Sequence, residues 1–110
     1  MRMIDVKNFS LLCPKCGNDY LHQRTVQTFN RGEDAHQVRV TTVDDKATHE
    51  AFIANELSLN PSKRRQGMRI SFYCEVCDGE TETESKFLNI AQHKGLTYIY
   101  WDEPDAHSND

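Results

Sequence analysis

The sequence predicts one small domain built mainly of β-strands, and three observations support this prediction. The chain has 110 residues, which is the length of one domain rather than two. Several segments alternate apolar with polar side chains or are rich in aromatic and β-branched residues, as half-buried strands are. Hydrophobic residues make up only 37% of the chain, so the core should be thin, and four cysteines are available to reinforce it.

Five segments have the pattern of strands, namely residues 20–29, 36–43, 68–73, 84–93 and 96–101. Polar residues and glycines predict the turns between them, including a short one at Lys94 and Gly95. Residues 46–60 fit neither the strand nor the helix pattern, so we expect a loop there with one helical turn. Residues 102–110 are polar, and we expect them to form a disordered acidic tail after a single domain at 1–101.

The four cysteines occur as two pairs, each with two residues between its members. Cys13 and Cys16 form the first pair, and Cys74 and Cys77 form the second. This spacing lets one tight turn, here called a knuckle, aim two sulfurs at one ion. Two knuckles supply the four thiolates of a closed tetrahedral zinc site. Because such a site leaves no position for water or substrate, one structural zinc ion is expected.

The 57 residues between the two pairs exceed the usual separation of about 15–20 residues. The longer loop costs only about 1 kcal/mol of additional closure entropy, since this cost grows logarithmically with length. A structural zinc supplies about 10–16 kcal/mol in peptide hosts, so the metal outweighs the loop. A redox pair is the weaker interpretation, because a strand rather than a helix is predicted after Cys16. Disulfides would require export, and the first residues lack the apolar core of a signal peptide.

The cysteines, together with Gly17 and Gly79 after the knuckles, resemble the zinc ribbon family. This resemblance covers a third to a half of the chain. It implies a zinc ribbon in which residues 18–67 form an inserted β-hairpin or small sheet between the knuckles. Residues 92–98 also resemble small zinc-ribbon proteins encoded by phages and mobile elements, which implies an accessory protein. The zinc ribbon motif determines architecture far better than function.

The net charge of −4 conceals an uneven distribution. Residues 61–73 carry four cations and no carboxylate, whereas residues 74–110 carry nine carboxylates and two cations. Three adjacent cations on a turn should project into solvent, where guanidinium groups can bind phosphate. The candidate nucleic-acid contacts are therefore Lys63, Arg64, Arg65 and Arg69. A solvated turn that protects neighbouring strand edges is the alternative.

Two further patterns bear on possible partners. Tyr98 and Tyr100 fall on one face of the last predicted strand, where they can either stack on bases or cover a small core. The favoured interpretation is a core or its rim. Glu80, Glu82 and Glu84 alternate with threonine within an acidic C-terminal third, residues 74–110. This third, or an exposed strand edge, is the candidate surface for a protein partner. The preferred interpretation of the run is a solvated loop.

No catalytic motif is evident. The sequence has no phosphate-binding loop, no nucleophile elbow and no helical His-Glu pair, and its five histidines lack ligand spacing. We therefore expect a non-enzymatic protein.

No apolar stretch has the length of a membrane span, and a reducing cytoplasm is the expected compartment for the paired cysteines. The sequence leaves two hypotheses open. One is nucleic-acid association through the basic turn, and the other is a protein-interaction module, a phage- or mobile-element-encoded modulator of a host complex.

Overall fold

An antiparallel sheet of six strands dominates the structure. The computed structural model describes residues 3–79 and 86–102. Its strands are β1 (Ile4–Asp5), β2 (Ser10–Leu11), β3 (Leu21–Asn30), β4 (Gln37–Val43), β5 (Thr48–Ala54), β6 (Gly67–Cys74), β7 (Lys86–His93) and β8 (Leu96–Trp101). A short 3-10 helix at Asn55–Leu57 follows β5. The prediction of a mostly β protein is confirmed.

The sheet consists of two three-stranded meanders joined side by side. Strands β1 and β2 pair as a separate small hairpin, while the large sheet has the order β5-β4-β3-β6-β7-β8. Every neighbouring pair in this order is antiparallel. The segment between the knuckles therefore supplies the first meander of the same sheet to which the later strands belong. Within the described ranges, no helix has the length and apolar character that crossing a membrane requires.

The loop predicted at residues 46–60 is wrong for half of that segment, because strand β5 occupies Thr48–Ala54. All seven of its residues pair with β4, from Thr48 opposite Val43 to Ala54 opposite Gln37. Strand β5 lies at the edge of the sheet and its first five residues are exposed, so it needs no alternation of apolar side chains. The single helical turn expected in this segment is confirmed by the 3-10 helix.

The end of the chain differs from the prediction at one described position. Asp102 was expected to begin the disordered tail, but its backbone N–H donates to the Phe87 carbonyl at 2.9 Å. Its carboxylate also accepts from Asn89 Nδ2 at 2.6 Å. Asp102, directly after the last strand, is thus anchored to β7. Residues 103–110 of the predicted tail, and residues 84 and 85 of a predicted strand, lie outside the described part of the chain.

The most deeply buried apolar cluster lies in the first meander. Phe29, Val38 and Val40 form it, and Ile53 packs against them. The register places Phe29 opposite Val40, and Val38 opposite Ile53, so these side chains share one face of the sheet. This cluster is small, in agreement with the thin core expected from composition.

Candidate metal centre and cationic cleft

Antiparallel pairing of the two central strands brings the cysteine knuckles together. Strand β3 begins shortly after the first knuckle, and β6 ends at the first cysteine of the second. Leu21, at the start of β3, pairs with Cys74, at the end of β6. The Glu75 N–H extends this contact by donating to the Tyr20 carbonyl at 3.0 Å. The long gap between the knuckles is therefore closed by strand pairing as well as by any ion.

The four sulfurs form a compact cluster that can hold a metal ion. The Sγ atoms of Cys13 and Cys77 lie 3.8 Å apart, and those of Cys16 and Cys74 lie 3.6 Å apart. All four Sγ atoms lie within 4.8 Å of one another. Cys13 and Cys74 are fully buried, whereas Cys16 is exposed. The fold thus brings together the four cysteines whose spacing predicts a metal site.

Backbone N–H groups close the first knuckle around Cys13. The Lys15 N–H donates to Cys13 Sγ at 3.4 Å, and the Gly17 N–H donates to the Cys13 carbonyl at 2.9 Å. The glycines that follow the knuckles, Gly17 and Gly79, have φ values of 78° and 57°. This left-handed conformation strains most other residues, which explains a glycine directly after Cys16 and another two positions after Cys77.

The surroundings of the thiols separate their acidities. A hydrogen bond from the Asn18 backbone lowers the pKa of Cys16 to about 7. Burial, followed by the neighbouring sulfurs, raises the pKa of Cys77 to about 12, and burial also raises the pKa of Cys74. Metal coordination requires deprotonated sulfurs, so loading this cluster must release protons.

A buried ion pair beside the cysteines was missed by the sequence analysis. Lys86 Nζ lies 2.9 Å from Asp78 Oδ1, and only 4% of the Lys86 side chain and 10% of the Asp78 side chain are exposed. Asp78 Oδ2 accepts the Cys74 N–H at 2.8 Å. Burial opposes the charge on Lys86, but the Asp78 carboxylate and the nearby sulfurs outweigh it and raise the pKa of the ammonium. A lysine directly before the apolar pair Phe87 and Leu88 was the available signal.

One histidine lies near this end of the sheet without joining the cysteine cluster. The His22 ring contacts the Glu75 carboxylate through Nε2 and stacks on Tyr73, with ring centroids 4.5 Å apart. The Arg24 guanidinium covers the same tyrosine ring at 4.7 Å. These contacts occupy the faces of Tyr73 with protein side chains. The remaining histidines form no further metal-ligand group among the described residues.

The basic turn lies at the other end of β6, and its side chains are exposed as predicted. Arg64 donates to Asp34 through two nitrogens, at 2.9 and 2.7 Å, and Arg65 pairs with Glu33. This bidentate contact lowers the pKa of Asp34 and raises that of Arg64. Lys63 has no carboxylate partner among the residues that the structure describes. Within the described residues, the turn thus combines two guanidinium groups that pair with carboxylates and one ammonium that does not.

Arg69 lies outside this turn, and its burial contradicts the prediction that it contacts phosphate. It belongs to central strand β6, and only 8% of the residue is exposed. Its guanidinium donates to Asn89 Oδ1 at 3.0 Å, pairs with Asp102 and lies 4.4 Å from the Phe87 ring centroid. Strands on both sides enclose this position, so its charge is satisfied inside the protein. The candidate phosphate contacts are thereby reduced to Lys63, Arg64 and Arg65.

The aromatic residues of β8 are more exposed than the sequence suggested. Tyr98 and Tyr100 are 45% and 42% exposed and point to the face shared with Ala91 and Asn89. The edge position of β8 explains this exposure, because only β7 covers one side of the strand. The acidic run at 80–84 lies outside the described residues.

Comparison of the chain with protein-family models, with curated proteins and with solved structures gave no match.

Proposed function

We propose that this chain is a zinc-stabilised accessory protein of the zinc ribbon type that associates with nucleic acid through its basic turn. The zinc has a structural role and no catalytic step is assigned. Four free thiols favour a reducing compartment such as the cytoplasm. The cysteine cluster is the observation that carries the metal part of this proposal, and the basic turn carries the nucleic-acid part.

Sulfur geometry supports zinc as the ion. Zinc binds thiolate at about 2.3 Å, so the sulfurs of a regular tetrahedron lie about 3.8 Å apart. The two close pairs in this structure are separated by 3.8 and 3.6 Å. Four sulfurs with no oxygen or nitrogen ligand also favour a soft or borderline ion over magnesium or calcium.

Metal analysis of the purified protein tests this assignment directly. We expect about one zinc per chain and no reaction of the four cysteines with a thiol reagent until the metal is removed. A folded protein that lacks metal and has four reactive thiols would contradict the proposal. Iron in place of zinc would keep the metal centre but reject zinc as its ion.

The exposed cations support nucleic acid as the partner. Four exposed cations and the half-buried Arg31 meet at this end of the molecule, where Glu33 and Asp34 supply the nearby carboxylates. The exposed cations are Lys63, Arg64, Arg65 and Lys94. An excess of positive charge therefore remains after pairing. It lies on a chain that is acidic overall, so the attraction is local and does not follow from net charge.

A salt titration of binding tests the second part. Three phosphate contacts through Lys63, Arg64 and Arg65 predict a slope of about −2.7 in a log–log plot for duplex DNA. Charge reversal of these three residues should weaken binding and flatten the slope. Arg69→Gln is not a suitable member of this set, because its guanidinium is buried. Absence of binding to DNA and RNA at low salt would reject the nucleic-acid proposal.

A protein-interaction module is the second candidate, and the outer strand β8 favours it. Leu96 and Ile99 are 57% and 53% exposed there, and the outer edge of β8 has no neighbouring strand in the described sheet. The acidic C-terminal third would then face the partner. Affinity capture after nuclease treatment separates the candidates, since protein partners persist and partners bridged by nucleic acid are lost.

A further inference from the structure

Two adjoining clefts at the β7–β8 hairpin bring the cations of the basic turn next to the exposed tyrosines of β8. The first has a volume of about 360 Å³ and is lined by Arg64, Arg65 and Lys94. The second, of about 260 Å³, is lined by Lys63, Tyr98 and Tyr100. Gln92 and His93 line both clefts, which makes the two a single continuous surface. Cations therefore border a pair of exposed aromatic rings.

The basic turn is held against the hairpin by a buried serine. Ser62 is 2% exposed, and its hydroxyl accepts the Gln92 N–H at 2.9 Å and donates to the Gln66 carbonyl at 2.5 Å. The Gln92 N–H lies beyond the start of β6, where Gly67 pairs with Ala91. Ser62 thus replaces a strand partner and fixes Lys63 beside the tyrosines.

A second set of contacts ties the same turn to the β3–β4 connection. Arg31 donates to the Lys63 carbonyl at 2.8 Å and to the Ala35 carbonyl at 2.6 Å. The Asp34 N–H donates to the Arg64 carbonyl at 2.9 Å. The backbone of the turn is therefore fixed from both sides, while the Lys63 ammonium stays without a carboxylate partner in the described chain. A prearranged cationic surface loses little entropy when it binds a ligand.

The spacing of the rings indicates what they can stack on. Residues two apart on a strand are separated by about 6.7 Å, which is twice the ~3.4 Å step between bases in a duplex strand. Bases inside a duplex also have both faces covered by their neighbours. Tyr98 and Tyr100 can therefore each take a base only from an extended single strand, in which the bases are unstacked.

We propose that this surface binds a single-stranded polynucleotide, with bases on Tyr98 and Tyr100 and phosphates at Lys63, Arg64, Arg65 and Lys94. The inference rests on the proposed function, because it assumes that nucleic acid is the partner, and it adds the strandedness and the base-contacting residues. Stacking supplies affinity with little sequence preference, since every base has an aromatic face. The cations hold the backbone and make binding depend on salt.

Fluorescence anisotropy with labelled oligonucleotides of about 12 nucleotides tests the proposal. The probes are oligo-dT, oligo-U and a duplex of the same length, each titrated over a range of salt concentrations. We expect both single strands to bind more tightly than the duplex, with a log–log slope of about −2.8 from four phosphate contacts. DNA and RNA share this chemistry, and the two single-stranded probes compare them directly.

Variants separate stacking from charge. Tyr98→Ala and Tyr100→Ala should each weaken single-strand binding about 5- to 150-fold and leave the salt slope unchanged. Lys63→Gln should make the slope shallower by about 0.7. Tyr20→Ala is the matched control, because Tyr20 is 59% exposed and lies at the other end of the sheet. Unchanged zinc content and circular dichroism confirm that each variant is folded.

Three results would overturn the inference. Equal affinity for duplex and single strand, with tyrosine variants like the wild type, rejects the single-strand site and leaves the proposed nucleic-acid function intact. Absence of binding to every oligonucleotide rejects both. Binding of an acidic polypeptide such as polyglutamate as tightly as oligo-dT shows an anion-binding surface for protein instead.

Discussion

The two ends of strand β6 use charge in opposite ways. At its carboxyl end, Cys74 is fully buried, and the ion pair of Lys86 with Asp78 is almost entirely enclosed. At its amino end, about 24 Å away along the strand, Arg64 and Arg65 pair with carboxylates, and 48–61% of each of these side chains is exposed. Removing a partner from the enclosed end leaves a charge that water cannot stabilise. At the exposed end water and salt compensate, so this end can exchange its partners for those of a ligand.

The largest effect should follow from breaking the enclosed end. Cys74→Ser replaces a fully buried thiol of the cluster by a hydroxyl, which is a poor zinc ligand. The binding free energy of a structural zinc is also folding free energy. We expect the variant to lose cooperative thermal unfolding, as measured by circular dichroism, and to contain less than one zinc per chain.

Chelation provides the matched experiment on the unaltered chain. The wild type should lose the same transition when zinc is removed and regain it when zinc is restored, whereas Cys74→Ser should not recover. A variant that melts like the wild type and retains its metal would show that strand pairing alone holds this end together.

A smaller effect is expected from Lys86→Met, which removes the buried ammonium but keeps an unbranched apolar chain. Four thiolates around a divalent ion carry a net negative charge. Lys86 is a buried cation that pairs with Asp78 and is also attracted by the nearby sulfurs. Loss of such an outer partner typically lowers metal affinity about 10- to 100-fold. Competition with a chelator of known affinity measures this change.

Lys94→Met is the control, because Lys94 lines the exposed cleft at the far end of the sheet. It should leave zinc affinity unchanged. If both variants bind zinc like the wild type, Lys86 has no part in holding the metal, and its burial serves the packing of β7 alone.

The cysteine cluster at the carboxyl end of β6 was largely predictable from the sequence, whereas the cleft at the β7–β8 hairpin was not. Cysteine spacing is a local signal, and a left-handed glycine after each knuckle is local as well. The pairing of Leu21 with Cys74, which places the knuckles together, joins residues 53 positions apart, and the sequence gives no register for it. The cleft likewise depends on Ser62 contacting Gln92 across 30 positions.

Arg69 shows why charge runs alone mislead. The sequence places it beside three exposed cations, but it lies two residues inside a central strand with neighbours on both sides. Its partners, Asn89 and Asp102, come from a different part of the chain. The loop prediction at residues 46–60 failed for the opposite reason. Strand β5 is an exposed edge strand, which needs backbone pairing but no apolar pattern.

An intermediate effect at the exposed end should come from Gly67→Ala. A Cβ atom at this position would lie 2.4 Å from Asn60 Oδ1 and 2.8 Å from Pro61 Cδ, so the turn must move. Overpacking of this kind costs about 1–3 kcal/mol in the free energy of unfolding. Denaturant titration measures it, with Gly32→Ala as the control, since a Cβ there meets only Ala35 Cβ at 4.0 Å. Equal stabilities of the two variants would show that the turn adapts freely.

The smallest effect should come from Asp34→Asn, and it should depend on pH. The pKa of Asp34 is lowered by its hydrogen bond with Arg64, so the ionised carboxylate stabilises the folded state above its ordinary pKa of 3.8. This stabilisation is lost as the pH falls through the lower pKa of the folded protein. The variant should therefore melt less than about 5 °C below the wild type near neutral pH, and the difference should vanish in strong acid. Asp45→Asn, another change in an exposed carboxylate, is the control and should melt like the wild type near neutral pH. Added salt should shrink the Asp34 effect while leaving the zinc affinity change of Lys86→Met nearly constant, because only exposed charges are strongly screened. If salt acts equally on both, the two ends of β6 do not differ in the way that their burial implies.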